Sequence, residues 1–217
     1  MTAEQIKQLD VQLPSLVEME ADMRARKVIM DELMAADPKL NFISALVMAG
    51  DKLSEDRAFT LLEEGMEYDR AVNYVGSFYR MDFAYRAREA GHITFEKLFT
   101  DLPELWVGAD PDDSDPRFIE LWEQLFQSRG FTVTTDDLPL PNLSSFEVFR
   151  GQDPGVPWGV SWSLDRKVAE KFANGAGTRQ HNRKGVVLKR TVLRSNITAY
   201  LTARHESEVI INPSRIR

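Results

Sequence analysis

The chain has 217 residues, 43% of them hydrophobic and 28% charged, with no cysteine and three histidines. That length allows one large domain or two small ones with a real buried core. The absence of cysteine excludes disulfides and thiolate metal sites, and three histidines make a histidine-rich metal centre a poor expectation.

Net charge is −7 but unevenly spread: residues 144–217 hold 13 Lys and Arg against 6 Asp and Glu, and the remainder 14 against 28. The basic third suits an anionic ligand such as a pyrophosphate, although the two parts could equally complement each other internally. The acidic remainder argues against non-specific nucleic-acid binding, which depends on neutralising phosphates. Met1 to Leu16 carries acids and glutamines where a secretory leader would be apolar. No apolar run approaches the roughly 20 residues that span a bilayer. The expectation is a cytoplasmic protein, or one delivered to a target cell by a leaderless route, with no membrane partner.

Residues 1–135 read as a helical region. After Pro14, the residues Leu16, Val17, Met23, Ile29, Leu33 and Met34 recur at helical spacing up to Pro38. A second helix is expected over Lys39 to Met48 with Gly50 as its stop, and a long third from an N-cap at Ser54 to Ala90, bent at Gly65 or Gly76. Tyr68, Tyr74, Phe78, Tyr79, Phe83 and Tyr85 on that helix read as packing residues rather than a stacking surface. A short helix over Phe95 to Phe99 leads to Pro103. Asp115-Pro116 opens a further helix, with Phe118, Leu121, Trp122, Leu125 and Phe126 on one face and Gly130 as its end. The acidic run Asp110 to Asp115 fails the EF-hand pattern, because Asp115 and Leu121 stand where glycine and glutamate belong. It reads as a solvated loop.

After Gly130 the pattern turns to strands. Phe131 to Thr134 is β-prone and residues 136–143 form a proline-punctuated connector. Phe146 to Phe149, Gly159 to Trp162, Val186 to Val192, Ile197 to Leu201 and Val209 to Ile211 read as strands, with a helix over Asp165 to Ala173 and a polar loop from Asn174 to Lys184. The predicted class is α+β: a helical N-terminal part packed on a small split β-sheet built from residues 144–217.

Three strings in that last third carry chemistry. Arg150 follows a strand and precedes Gly151, and an arginine fork matches phosphate oxygens. Ser161 and Ser163 flank Trp162 at a strand end. Ser161 can donate and accept, Ser163 is placed to cap the following helix, and Trp162 should face the core. Glu206 and Glu208, two apart, would share a strand face, where like charges are unfavourable unless one opposes a cation and the other takes a proton.

In this order, Phe149-Arg150-Gly151, Ser161-Trp162-Ser163 and Glu206-Ser207-Glu208 resemble the mono-ADP-ribosyltransferase family, in the branch marked by arginine, serine-x-serine and glutamate-x-glutamate. The resemblance covers residues 144–217, and Trp162 replaces the threonine usual in the serine motif. It implies an NAD-consuming enzyme. Arg150 and Gly151, with Ser161 and Ser163, would contact NAD. Ser161 would orient Glu208, which would hold the nicotinamide-ribose hydroxyl and stabilise an oxocarbenium-like cation. Glu206 would activate an acceptor, arginine on a target protein. Arg179, with His181 and Arg183, falls where the family carries a phosphate–nicotinamide loop, and Tyr200 to His205 would be the substrate-recognition turn, with His205 a bystander beside the glutamates. The family's toxins, effectors and phage factors set the biological expectation. NAD glycohydrolase activity, and a non-catalytic acidic interaction protein binding a basic partner, are the alternatives.

Overall fold

Helix α1 (Leu16–Ala36) stops just before Pro38, as the periodicity predicts. The computed structural model describes residues 16–38, 40–129, 133–134, 139–175, 184–204 and 206–216. Helix α2 (Phe42–Glu63) is capped by Asn41, whose side chain accepts from the Ser44 N–H at 2.9 Å. It merges two segments that the sequence divides at Gly50 and Ser54. One buried stripe through Ala45, Met48, Ala49, Ala58, Phe59 and Leu62 runs across the division. That packing outweighs the ~1 kcal/mol that a mid-helix glycine costs. Ser54 is not a cap; its hydroxyl donates to the Asp51 carbonyl at 2.7 Å inside the helix.

The single long helix expected up to Ala90 is broken instead. Gly65, at φ +100°, ends α2, and the chain then forms α3 (Tyr68–Ala71), a 3₁₀ turn (Val72–Tyr74) and α4 (Arg80–Glu89). Of the aromatics in this stretch, Tyr68 and Phe83 are buried and stacked on each other, while Tyr74 is exposed. Helix α5 (Phe95–Val107) continues through Pro103, beyond its expected end. Leu98, Leu102, Leu105 and Trp106 lie buried along it, so tertiary packing overrides the helix-breaking cost of proline. Helix α6 (Pro116–Arg129) starts as predicted, with Asp115 accepting from the Arg117 N–H at 2.8 Å.

Among the described residues, six strands form one sheet: β1 (Val133–Thr134), β2 (Ser145–Gln152), β3 (Ser161–Ser163), β4 (Val186–Leu193), β5 (Ile197–Leu201) and β6 (Glu208–Ile211), ordered β1-β5-β6-β3-β2-β4. Helix α7 (Arg166–Ala173) links β3 to β4. All pairings are antiparallel except β1 with β5. The sheet is continuous rather than split, but it is pinched. Strands β2 and β4 pair along their whole length, from Ser145 opposite Leu193 to Gln152 opposite Val186, whereas β2 and β3 share only the rung Phe149 to Ser163.

Alternation along the strands sends the sheet's apolar side chains into two clusters, one on each face. Ala199, Leu201 and Ile210 join Phe83, Leu98, Leu102, Trp106, Phe118 and Leu125 in one cluster beneath the helices. Trp162, Tyr200, Val209 and Ile211 pack with Phe146, Val148 and Ile216 on the other face. A register irregularity between Ile197 and Ala199 lets Ile197 join that second cluster. The helices and the sheet therefore share a core. Among the described residues, no helix is long and apolar enough to cross a membrane.

Candidate functional site

The pinch in the sheet opens a cleft of about 520 Å³, within the usual range for small-molecule sites. Its walls come from the α5–α6 loop, the ends of β2 and β3, α7 and the turn before β6. Arg150, Gly151, Ser161, Ser163, Glu206 and Glu208 all line it, although they span almost sixty positions of sequence. Arg179, His181, Arg183 and His205 lie outside the described residues.

Glu208 is the first residue of β6 and is 6% exposed. Ser161 Oγ donates to its Oε1 at 2.5 Å, and Trp106 Nε1 donates to the same oxygen at 3.0 Å. Among the described residues both bonds fall on Oε1, which leaves Oε2 for a ligand in the cleft. Burial pushes the Glu208 carboxyl above the usual carboxylate range; the two hydrogen bonds and the Arg204 charge oppose that rise, and Glu206 adds to it.

Glu206 departs from its predicted placement. It precedes the strand, and Ser207 between the two glutamates has φ +44°, a left-handed conformation uncommon for a residue with a side chain. The turn is braced from β3: Leu164 N–H donates to the Ser207 carbonyl at 3.0 Å, and Ser163 Oγ to the Glu206 carbonyl at 2.5 Å. The glutamates reach one cleft through this turn rather than by strand alternation. Partial burial raises the Glu206 carboxyl too, with Asp110 adding to the rise and Arg204 and Lys171 opposing it.

Ser163 is therefore a brace for the turn, and its oxygen also accepts from the Asp165 N–H at 2.9 Å. The cap of α7 is Asp165, which accepts from Lys167 N–H at 2.8 Å, not Ser163 as the sequence suggests. Gly151 has a packing role as well as a place in the cleft wall. A Cβ there would collide with the Ala169 carbonyl and the Ala173 N–H, so glycine lets α7 lie directly on β2. Trp162 faces the core at 2% exposed, as alternation predicts. Tyr200, expected in the recognition turn, is instead a buried residue of β5.

Arg150 is held in an unexpected way. Its Nη1 and Nη2 grip both oxygens of Asp113, Nη1 also donates to the Ser161 carbonyl at 2.7 Å, and Nε donates to Gln152 Oε1 at 2.7 Å. Asp113 in turn accepts from the Ser161 N–H at 3.1 Å. The ion pair thus satisfies both backbone groups of Ser161 where β2 has left β3, replacing a missing rung of the ladder with side chains. A phosphate could take the fork of Arg150 only by displacing Asp113. The loop bearing Asp113 is fixed further by Val160 N–H donating to its carbonyl at 3.0 Å, and by Gly159, where a Cβ would strike its carboxylate.

Two site residues, Trp106 and Asp113, escape sequence reasoning. Trp106 lies past the expected end of its helix, and Asp113 belongs to the acidic loop that reads as solvated. The signals available were an apolar period running through Pro103 and a glycine at position 159 beside the serine motif. What the cleft offers chemically is a buried, doubly anchored carboxylate with one oxygen that the described residues leave unbonded, a second carboxylate of raised affinity for protons, and Arg204 at the rim. No family model, curated protein or solved structure matches the chain.

Proposed function

We propose that the protein is a mono-ADP-ribosyltransferase that cleaves NAD and transfers ADP-ribose to a protein side chain, arginine being the acceptor the glutamate pair suits. The observation that carries this reading is the Ser161–Glu208 hydrogen bond at 2.5 Å, with Glu206 and Arg150 in the same cleft. On this reading the sheet is a compact form of the ADP-ribosyltransferase type. Glu208 Oε2 meets the nicotinamide-ribose hydroxyl and opposes positive charge at the anomeric carbon. The glycosidic C–N bond breaks with its electron pair leaving on nicotinamide. An acceptor nitrogen then bonds to that carbon and its proton passes to Glu206, whose raised proton affinity suits a base. Arg204 at the rim supplies charge for the pyrophosphate, while Arg150 secures the strand edge beneath it.

The test is nicotinamide release from NAD by the purified protein, with and without agmatine as a guanidino acceptor. Release stimulated by agmatine supports the arginine-directed transferase. Release indifferent to agmatine favours a glycohydrolase, with water as acceptor. No release and no NAD binding rejects the enzyme reading and leaves a non-catalytic interaction protein whose acidic helical part binds a basic partner.

A further inference from the structure

Trp106 is 1% exposed and its ring meets Trp122 edge-on at 5.5 Å and Phe118 at 6.3 Å between centroids. Its indole N–H donates to Glu208 Oε1 at 3.0 Å, although the two residues are 102 positions apart. Its backbone carbonyl accepts from Arg204 Nη2 at 3.2 Å, so one residue of α5 holds both the carboxylate and the turn that carries Glu206. Burial alone does not supply an indole with a partner here. Trp122, beside it and equally buried, has an Nε1 with no hydrogen-bond partner among the described residues.

We propose that Trp106 is a positioning residue for Glu208: its N–H pins Oε1, turns Oε2 into the cleft, and makes the helical region a working part of the reaction site. This rests on the NAD-cleaving reading of the cleft. The indole is a neutral donor, so it fixes the rotamer of a carboxylate in a dry setting without cancelling the charge needed against a ribosyl cation. Ser161 approaches the same oxygen from β3, and two donors from separate elements define the carboxylate plane better than either alone. The charged groups around the pair are Arg204 and Glu206 on the turn, with Asp110 from the α5–α6 loop and Lys171 from α7 acting on Glu206.

Two replacements test it in the full chain: Trp106→Phe, and benzothienylalanine at position 106, which keeps the ring shape and puts sulfur where the N–H was. The carboxyl of Glu208 is titrated by isotope-edited infrared spectroscopy, alongside the pH profile of nicotinamide release. Loss of the donor is expected to raise the Glu208 midpoint by about one pH unit. The acid limb of the activity should move with it, with kcat lowered about tenfold or more and KM for NAD little changed. An unmoved Glu208 midpoint in the benzothienylalanine protein overturns the proposal. A moved midpoint in a protein whose wild type releases no nicotinamide upholds the hold of Trp106 on Glu208 and rejects the reaction.

Discussion

Ser161 and Glu208 meet on the diagonal. The ladder sets Ser161 opposite Ile210 and Glu208 opposite Ser163, yet Ser161 Oγ reaches Glu208 Oε1 at 2.5 Å across β3 and β6. A glutamate is long enough to bridge a diagonal in an antiparallel pair, and a serine hydroxyl is short enough to be aimed by its own backbone. Ser161→Ala removes one of two donors to a buried carboxylate, a loss of about 1.5–3 kcal/mol. Nicotinamide release should fall about 10- to 100-fold with the fold intact. Single-turnover release and a melting curve check both halves of that statement.

The buried Glu208 carboxyl titrates above the ordinary glutamate range, so the pH response has a definite sign. On the proposed NAD-cleaving reading the anion is the working form, so nicotinamide release should climb with pH through that raised value. Stability should move the other way. A folded-state pKa raised above the unfolded one means the native protein binds more protons in between, so stability falls as pH rises through that window. Glu208→Gln keeps the shape and cannot ionise. It should abolish turnover yet melt higher than the wild type at neutral pH, with the gap closing as the pH drops below the window. Melting curves at a series of pH values settle it.

Glu206 stands in the turn before β6, its proton affinity is raised by partial burial, and the proposed reaction makes it the base for the acceptor. Glu206→Gln should reduce transfer to agmatine at least tenfold while sparing hydrolysis of NAD. Equal loss of both activities would remove its role as base for the acceptor.

Asp113 and Arg150 are mostly buried, with side chains 20% and 12% exposed. Removing one leaves the other as an uncompensated charge, at a cost of about 3–5 kcal/mol. Asp113→Ala should destabilise by that order, and adding Arg150→Met should recover much of the loss. Urea unfolding of the two single variants and the double variant gives the coupling; additive losses would deny that the pair acts as one unit.

The local signals were legible because they depend on neighbours in sequence. Pro116 after Asp115, the alternation around Trp162 and the end of α1 before Pro38 all follow from short-range stereochemistry. What was illegible depends on distant partners. Gly50 and Pro103 read as stops because local propensity speaks against them, while the apolar period that runs through each gains its weight only from burial against distant partners. The serine and glutamate strings marked the cleft, but the turn conformation at Ser207 is imposed by bonds from Ser163 and Leu164. Trp106 and Asp113 show no motif at all, since each acquires its role only when the helices meet the sheet.

The Trp106–Glu208 contact also orders events in time. Closing a loop of that length is entropically costly and must await the packing of α5, α6, β5 and β6 on one another. Glu208 is also made long after Trp106 during synthesis. A growing or half-folded chain can hold the serine and glutamate strands and still lack the donor that aims the carboxylate. On the NAD-cleaving reading proposed above, full turnover then lags behind until the helices dock, a built-in delay between making the chain and arming it.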